Sequence, residues 1–489
     1  MIASFLAILL PVLGAVPFHA AHAAQDADGG MPPPLRSALD AYAPRMGEVA
    51  LQIWRHPELG YLETATTTLL QDELRAAGFQ VEAGVAGMPT AFVARAGRRG
   101  NGPVIALLAE MDALPGMAQA AAPQHQPLPG QDAGHACGHN LFGAAAVAAA
   151  RAVKDWLDAS GAEGEVRVYG TPAEEGGSGK VYLVRAGLFD DVDAALHWHP
   201  ADRNSAAQSR SLANISGKFR FSGVAAHAAI APQRGRSALD GVEAMNHMVN
   251  LLREHVPDGT RIHYTVTDGG GAPNVVPAQA ESYYYVRHVE PSVVREVFER
   301  VQQAAQGAAL GTGTQVAFEQ TGGVFSLLPN DALGQVVDAA LRQVGGVRYT
   351  PQDTSFAQAM QRSFDQPPAL EVAAHIQDYA VDATSFGSTD VGDVSWNVPT
   401  AGVSVATWVP GTVAHSWQAV AGSGSAIGVE GTRVAAATLA LATVRLFQQP
   451  APLAAARAEL AQRRGAAFQY RPLLERQAPP LDYRLAPER

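Results

Sequence analysis

The sequence predicts an α/β protein: a main domain with helices around a mostly parallel sheet, plus an inserted α+β domain. Three observations support this prediction. Continuous apolar runs such as residues 104–108 are typical of strands buried on both faces. These runs alternate with segments of helical spacing, and polar side chains follow them closely. From about residue 214 the order changes to β-α-β-β-α-β, which is the ferredoxin-like pattern.

Length and charge limit the class of protein. The chain has 489 residues, so we expect two domains rather than one simple core. Its composition, with 47% hydrophobic and 17% charged residues, is that of an ordinary globular protein. The formal net charge is -11 and no basic run is interleaved with aromatic residues. We therefore expect no nucleic-acid partner.

The N-terminus predicts export from the cytoplasm. Residues 2–19 are apolar and Ala21-His22-Ala23 provides a small-x-small cleavage pattern, so residues 1–23 are interpreted as a cleavable signal peptide. No Lys or Arg precedes the apolar run, which leaves an uncleaved anchor as the alternative, although two prolines and a glycine disfavour a spanning helix. We expect a periplasmic or secreted protein with no membrane association after signal removal. A single cysteine suits that compartment.

The first predicted elements lead to an acidic side chain. Helical spacing predicts helices over residues 35–53 and 64–77, and two short β-like runs follow. The strand predicted at residues 104–108 ends close to Asp112. Ligands bind at the carboxyl ends of strands in open α/β sheets, so Asp112 is expected near a site.

The only cysteine of the chain lies between two histidines. In His135-Ala136-Cys137-Gly138-His139, a thiolate and imidazoles can reach a shared metal position, and Gly138 permits a tight turn. The alternative is a buried structural cysteine beside surface histidines. An Ala-rich helix is predicted next, at residues 144–157.

Two further strands bring polar groups toward the same edge of the sheet. A strand at residues 165–169 leads to Glu174-Glu175, and one at 194–198 leads to His197 and His199. Residues two apart on a strand point to the same face, so either histidine could be a ligand. We favour His199 because it precedes Pro200 at the end of the strand.

The inserted domain is predicted at residues 214–325. Its helices are expected at 238–255 and 293–305, and its strands at 218–221, 261–266, 281–288 and near 315–319.

The main domain is assigned to residues 35–213 and 326–450. After the insertion it resumes with a helix near 333–344, a strand at 402–408 and a closing helix at 432–447. Residues 451–489 are expected to form a C-terminal helix and a Pro-rich tail on the surface.

Five side chains near predicted strand ends form a candidate metal site. They are Cys137, His139, Glu175, His199 and His415. Such a set could hold two divalent ions ~3.5–4 Å apart if the thiolate or a water bridged them. Coordination would keep the Cys137 thiol ionised at neutral pH. Thiolate and imidazole ligands suit Zn, whereas carboxylate and water positions accept Mn, so both metals stay open.

Glu174 is the expected general base. Its neighbour Glu175 would hold a metal ion while Glu174 faces the metal-bound water or hydroxide. The alternative for a Glu-Glu pair is a solvated loop. Asp112 and Asn140 are expected to orient ligand imidazoles, and for Asp112 the alternative is a simple turn cap.

The inserted domain carries polar candidates of its own. His227 lies in a loop of small residues, where it could stabilise the oxyanion of a tetrahedral intermediate. Asn274 and Arg287 are candidates for binding polar groups of a substrate. Arg236 and its neighbour Arg234 could bind a carboxylate. The alternative for His227 and both of these arginines is simple exposure to solvent.

These motifs resemble the di-metal amidohydrolases and carboxypeptidases of the aminoacylase type, in their cysteine-containing branch. The resemblance is strongest to the group formed by the B subunits of p-aminobenzoyl-glutamate hydrolases, and it covers most of residues 35–450. It is carried by residues 135–139, 174–175, 211–229, 235–256, 387–396 and 415–418. Asn140 departs from the pattern, since many members of the wider family have Asp there.

The resemblance implies a catalytic domain with a dimerising lid, and a homodimer in which His227 acts at the other subunit's site. It also implies hydrolysis of an amide that joins an acyl or aroyl group to an amino acid such as glutamate. Within enzymes, the alternative is a broader aminoacylase or dipeptidase. A non-enzyme alternative is a periplasmic binding or scaffold protein on an inactive hydrolase fold, against which the complete ligand set argues.

Overall fold

The structure is a computed structural model that describes residues 30–485, so the signal peptide predicted at residues 1–23 lies outside the described residues. From Pro32 onward the chain forms one compact unit built on two main sheets. We call the part around the antiparallel sheet, residues 213–324, the lid, and the rest the catalytic part.

The catalytic part begins with alternating helices and strands. In chain order they are α1 (Pro33–Arg55), α2 (Thr64–Ala76), β1 (Gln80–Ala83), β2 (Phe92–Arg98), β3 (Val104–Glu110), β4 (Leu114–Pro115), β5 (Ala133–Gly134), α3 (His139–Ser160), β6 (Gly164–Thr171), α4 (Gly179–Arg185), β7 (Ala194–Ala201) and β8 (Gln208–Arg210).

The lid contains two helices packed on a four-stranded sheet. Its elements are β9 (Ala213–Ser222), α5 (Ala238–Leu252), β10 (Arg261–Asp268), β11 (Gln279–His288), α6 (Pro291–Thr312) and β12 (Gln315–Val324). The strands are antiparallel in the order β10-β11-β9-β12. This order and the β-α-β-β-α-β sequence confirm the predicted ferredoxin-like fold.

The chain then returns to the catalytic part. The remaining elements are α7 (Asp331–Val344), α8 (Pro351–Gln361), β13 (Val381–Thr384), α9 (Val391–Ser395), β14 (Thr400–Ala406), α10 (Trp417–Ser423), α11 (Ala426–Gln448) and α12 (Pro450–Arg464). With β14 in place, the large sheet has the order β1-β2-β6-β3-β7-β14.

The large sheet is mostly parallel, as the apolar runs predict. Strands β6, β3, β7 and β14 run parallel to one another, and β1 and β2 form an antiparallel edge. Every residue of β3 is buried, because helices cover both faces of the sheet. The carboxyl ends of β3, β6 and β7 therefore meet at one edge, where the polar groups that follow them collect.

Helix α11 is a core helix of the catalytic part. It is the one helix among the described residues that is long and apolar enough to cross a membrane, but 83% of its apolar window is buried inside the protein. It packs against α3 and α7. Burial in the core accounts for its composition.

Two parts of the chain differ from the sequence-based expectation. Helix α3 begins at His139, five residues before the predicted start, so the second histidine of the cysteine motif lies in its first turn. The C-terminal tail is not confined to the surface: Leu473 and Leu474 are 1% and 2% exposed.

Candidate active site

Cys137 and His139 are positioned by the start of α3. Gly138 caps this helix in the left-handed conformation, with φ 73°. A Cβ at this position would lie 2.7 Å from Cγ of Pro200, so only glycine fits without displacement. The turn places Cys137 and His139 on either side of Gly138, and both are buried.

Asp112 orients two of the predicted ligands, one imidazole and one carboxylate. His139 Nδ1 lies 3.0 Å from both Asp112 Oδ1 and the Asp112 carbonyl oxygen. The second carboxylate oxygen of Asp112 accepts a hydrogen bond from the backbone N–H of Glu175 at 2.8 Å. Because Nδ1 of His139 is engaged as a donor, its Nε2 lone pair is left for a metal.

The Glu174-Glu175 pair follows a strained turn at the end of β6. Ala173 adopts a left-handed conformation, with φ 57°. Its N–H donates to the buried carboxylate of Glu63 at 2.8 Å, which holds the turn in place. Burial and the nearby Asp112 raise the pKa of Glu63 to about 8. This anchor was not predicted, since Glu63 is distant from the turn in the sequence.

His199 and His415 approach the cysteine motif from different elements. His199 Nε2 lies 3.5 Å from Cys137 Sγ, and its Nδ1 donates to the Pro200 carbonyl at 2.7 Å. His415 has a left-handed φ of 60°, and its N–H donates to the Ala136 carbonyl at 3.0 Å. Its ring nitrogen Nε2 lies 3.2 Å from Glu175 Oε1.

The five predicted ligands form two sets of three that share Cys137. One set is Cys137, His139 and His199, and the other is Cys137, Glu175 and His415; within each set the ligand atoms lie within 4.8 Å of one another. His197 belongs to neither set, and it packs on β14, where a Cβ on Gly402 would lie 2.4 Å from its Nε2. The geometry therefore agrees with the choice of His199 over His197.

The donor atoms fit a pair of divalent cations. His139 Nε2 and Glu175 Oε1 are buried and, among the described residues, neither has a hydrogen-bond partner. Burial, followed by the nearby Glu175 carboxylate, raises the pKa of the Cys137 thiol, so the thiol needs a metal to be ionised at neutral pH. Burial lowers the pKa of His199, so its imidazole is neutral and free to coordinate. The two sets could therefore hold two divalent ions, with Cys137 available to both.

A buried charge network lies beneath the metal ligands. The Lys180 ammonium lies 2.7 Å from Glu110 Oε1 and 2.7 Å from Asp390 Oδ1. The other oxygen of Glu110 lies 3.1 Å from His139 Nε2, without hydrogen-bond geometry. With Glu174 close by, Glu110 and His139 form a third set of potential metal ligands. Several buried carboxylates thus share one ammonium, and cations in the site would balance them.

Glu174 has the electrostatic environment of a proton carrier. Burial, followed by repulsion from the carboxylates of Glu110, Glu175 and Asp390, raises its pKa well above the usual range for glutamate. Glu174 and Glu175 both line a cavity of about 1200 Å³ that lies between the catalytic part and the lid. The base and the ligands thus open onto the space where a substrate would bind.

Some predicted residues lie away from this cavity. Asn140 was expected to orient a ligand imidazole, and that expectation is wrong: its amide donates to the carbonyls of Ala50 and Ser423, both at 3.1 Å. It joins the start of α3 to two neighbouring segments of the catalytic part.

The candidates in the loops of the lid are also outside the cavity of their own chain. His227 is exposed, and its Nδ1 accepts hydrogen bonds from Ala229 and Ile230. Asn274 is joined to the same loop through a hydrogen bond from Ala228 N to its carbonyl oxygen. Arg234 and Arg236 are exposed, and Arg236 donates to the carbonyl of Gly235. Of the lid candidates, only Arg287 lines the cavity.

Several residues that build the site were missed from the sequence. Glu110 ends strand β3, and Asp390 lies in a motif noted for its resemblance to known hydrolases. Lys180 gave no signal, because a single lysine after a Gly-rich turn is usually exposed. Tyr483 and Arg484, at the end of the described chain, both donate to the Glu175 carbonyl.

Comparison with known proteins places this geometry among metallopeptidases. The profile of the peptidase dimerisation domain of the M20 type matches residues 213–312, which is most of the lid. The chain is 42% identical to the B subunit of p-aminobenzoyl-glutamate hydrolase of Escherichia coli (strain K12) over 438 residues, covering 84% of this chain and 90% of that protein. It is 30% identical to the Xaa-Arg dipeptidase of Mus musculus over 437 residues, covering 86% and 90%.

A solved structure shares the fold. A dinuclear metal-binding peptidase of the M20 family from Bacillus subtilis aligns with 84% of this chain and 99% of its own, with a TM-score of 0.56 and 20% sequence identity. At this level of identity the similarity concerns the arrangement of the two sheets.

Proposed function

The chain belongs to the M20 family of metal-dependent peptidases and amidohydrolases, and we propose that it hydrolyses the amide bond between an acyl or aroyl group and an amino acid, as in p-aminobenzoyl-glutamate. One observation carries the proposal: two sets of metal-ligand atoms share the Cys137 sulfur, with Glu174 beside them at the wall of a cavity. The relative that acts on p-aminobenzoyl-glutamate supports the choice of substrate.

The metal ions and the protein side chains would have different roles in the reaction. When bound, two divalent ions would supply an activated water and polarise the scissile carbonyl. Cys137, His139 and His199 would hold one ion, and Cys137, Glu175 and His415 the other. Asp112 fixes the positions of His139 and Glu175 relative to each other. One of its carboxylate oxygens contacts Nδ1 of His139, and the other accepts a hydrogen bond from the Glu175 N–H.

Glu174 moves the proton. Its carboxylate accepts a proton from the attacking water and then donates it to the nitrogen of the departing amino acid. A raised pKa suits the second step, because the group must hold the proton until the amide bond breaks. The water would be consumed as the acid and the amine are released.

The dimer would complete the site. We propose a homodimer formed through the lid, with the lid/dimerisation domain at residues 214–325 and the catalytic domain at 35–213 and 326–450. His227 is exposed and outside the cavity of its own chain, and Val224, Ile230 and Val275, which lie on the two loops around it, are 52%, 78% and 48% exposed. An exposed apolar surface of this kind favours contact with a second copy. His227 would then stabilise the oxyanion in the other subunit.

The metal could be Mn or Zn. The Cys137 thiolate and the imidazoles would favour Zn, whereas Glu174, Glu175 and Glu110 would add the oxygen donors that Mn prefers. Export to the periplasm remains part of the proposal and rests on the N-terminal sequence alone. Reconstitution with each metal separately would identify the one that supports turnover.

A broader dipeptidase is the second candidate, because the Xaa-Arg dipeptidase relative spans nearly the same part of the chain. Two cationic side chains of the cavity favour an acidic substrate over a basic one. Arg287 and Arg484 line the cavity, and among residues 30–485 neither forms an ion pair and Nε of each is buried without a hydrogen bond. A substrate with a carboxylate would compensate them, whereas one ending in arginine would add to the positive charge.

A substrate screen tests the proposed function. The chain without its signal peptide would be stripped of metal, loaded with Mn or Zn, and assayed on p-aminobenzoyl-glutamate, hippurate and dipeptides including X-Arg. We expect the highest kcat/KM for p-aminobenzoyl-glutamate and no turnover after chelation. Binding of metal without hydrolysis of any of these amides would favour the scaffold alternative.

A further inference from the structure

The C-terminal segment, residues 470–485, connects the lid to the catalytic part. Two consecutive leucines are buried in different hydrophobic clusters. Leu473 packs in the core of the lid, with Phe219 and Phe298, whereas Leu474 packs with Val181 and Val391 in the catalytic part. The segment is therefore part of both cores rather than a loose tail.

The first half of the segment is fastened to the lid. The Gln320 side chain of β12 donates to the Leu473 carbonyl and accepts from the Glu475 N–H, both at 2.8 Å. Arg295 of α6 donates to the Arg471 carbonyl at 3.0 Å. These bonds fix the backbone of the segment along the edge of the lid sheet.

The second half is fastened to the catalytic part and ends at the metal ligands. Arg185 donates to the Arg476 carbonyl at 2.6 Å, and Tyr182 donates to the Ala478 carbonyl at 3.3 Å. The Tyr483 hydroxyl donates to the Glu175 carbonyl at 3.0 Å, and Arg484 donates to the same oxygen. The segment thereby forms one wall of the substrate cavity.

Five cationic side chains line this cavity, and three of them are paired within the chain. Lys218 lies 3.5 Å from Glu281, Arg220 lies 2.6 Å from Glu281, and Arg476 lies 3.7 Å from Glu319. The other two cationic side chains of the cavity are Arg287 and Arg484.

Arg287 and Arg484 have no such partner within residues 30–485, and Nε of each is buried without a hydrogen bond. The exposed carboxylate of Asp482 also lines the cavity and pairs with neither. Both side chains are half-buried, and Arg484 already donates to the Glu175 carbonyl. Because a half-buried guanidinium without a carboxylate partner favours an anion, two of them in one cavity indicate a ligand with two negative groups.

We propose that Arg484, carried into the cavity by the C-terminal segment, binds the side-chain carboxylate of an acidic amino acid and makes the enzyme selective for it. The inference rests on the proposed function. Arg287 lies within the matched dimerisation domain and is assigned to the α-carboxylate, which every amino-acid substrate shares. Arg484 lies outside that domain and is assigned to the side-chain carboxylate, which differs from one amino-acid substrate to another.

The test compares two substrates of equal shape, p-aminobenzoyl-glutamate and p-aminobenzoyl-glutamine, in the metal-loaded chain. Loss of a charge-assisted hydrogen bond of ~1.5–3 kcal/mol should raise KM for the glutamate compound about tenfold or more in Arg484→Gln. Because Arg484 also donates to the Glu175 carbonyl, both compounds can lose some turnover, but we expect the loss in kcat/KM to be at least about tenfold larger for the glutamate compound than for the glutamine compound. Arg471→Gln is the matched control, because this exposed arginine lies on the same segment outside the cavity.

Calorimetric binding of free glutamate and glutamine gives a second measurement that does not depend on turnover. Wild type should prefer glutamate, and Arg484→Gln should lose that preference. Equal losses for both ligands would mean that Arg484 only supports the fold, and unchanged selectivity would remove it from the site; either result overturns the inference. If wild type selects glutamate but cleaves neither amide, the proposed function fails while the binding role of Arg484 stands.

Discussion

His139 and His199, the candidate ligand imidazoles of the first set, are each oriented by the contact that their Nδ1 atom makes. His139 Nδ1 is held by Asp112, and His199 Nδ1 by the Pro200 carbonyl. Both rings therefore present Nε2 toward Cys137. At the scale of residues, the site depends on these fixed tautomers as much as on the ligands themselves, because a rotated ring would offer an N–H instead of a lone pair.

Replacement of the base tests the role of Glu174. Glu174→Gln keeps the shape of the side chain but cannot accept a proton, so we expect kcat to fall by about 10²–10⁴. Metal content, measured by elemental analysis, should stay at the wild-type level. Glu175→Gln is the control, since loss of a ligand should reduce metal content as well. A Glu174→Gln variant with wild-type kcat would contradict the assignment.

Asp393 gives a prediction for the pH dependence of stability. Burial is the main reason why its pKa is raised to about 7, although Phe325 N and Tyr470 OH donate to it. The folded state binds this proton more tightly than the unfolded state, in which the pKa is about 3.9. The stabilisation from Asp393 is thus complete below about pH 4 and lost as the pH rises through about 7, at most about 4 kcal/mol.

Asp393→Asn removes this titration. In urea denaturation at several pH values, the free energy of unfolding of wild type should fall more steeply between about pH 4 and 7 than that of the variant. Titration of the metal ligands affects both proteins and cancels in the comparison. Parallel curves would show that Asp393 has an ordinary pKa in the folded protein.

At the scale of elements, the candidate catalytic and metal-binding residues lie at or just after the ends of helices and strands. Strand β3 leads to Asp112, β6 leads to Glu174 and Glu175, and β7 contains His199. The apolar runs predicted these strands because their interior residues are buried on both faces. The short helix α4, which carries Lys180, was missed because seven residues are too few to show a helical period.

The two glycines at the ends of α3 allow backbone strain to be compared with steric conflict, because alanine would cause strain at both positions but a steric overlap at only one. Gly138 and Gly161 both have left-handed φ values, 73° and 68°. A Cβ on Gly161 would have no heavy atom within 4 Å, whereas a Cβ on Gly138 would overlap Pro200. The left-handed backbone should make Gly161→Ala cost ~1–2 kcal/mol of stability, read from urea denaturation, and Gly138→Ala should cost more because of the overlap with Pro200.

Only Gly138→Ala should also disturb the metal site, because Cys137 and His139 flank it. We expect its metal affinity, measured by competition with a chelator, to fall about tenfold or more, and that of Gly161→Ala to stay at the wild-type level. Equal affinities in the two variants would mean that the start of α3 adjusts without moving its ligands.

At the scale of the whole molecule, the cavity is assembled from four distant parts of the chain. The loops after β6 and β14 supply Glu174, Glu175 and His415, the lid sheet supplies Arg287, and the C-terminal segment supplies Arg484. The proposed dimer would add a fifth part through His227.

Mixing two inactive variants tests that dimer. Glu174→Gln and His227→Ala should each be inactive alone, but a mixed dimer would contain one site with both residues intact. After unfolding and refolding together in equal amounts, about a quarter of the wild-type rate should return. Glu174→Gln mixed with Glu175→Gln is the control and should stay inactive, since both changes damage the subunit's own site. No recovery in the first mixture would place His227 outside the partner's site.

The sequence by itself determined the two sheets and predicted the five candidate ligands and the adjacent candidate base, because strand periodicity and ligand chemistry are local properties of the chain. The tertiary structure decided that Cys137 lies in both sets of candidate ligand atoms, that His199 lies beside Cys137 while His197 packs on β14, and that Asn140 joins the start of α3 to neighbouring segments. It also brought Glu63, Lys180 and Arg484 to the site, although nothing in their local sequence indicates it. The positions of these side chains depend on packing between segments that are far apart in the chain. Burial and charge compensation act between such segments only in the folded protein, so the local sequence does not reveal them.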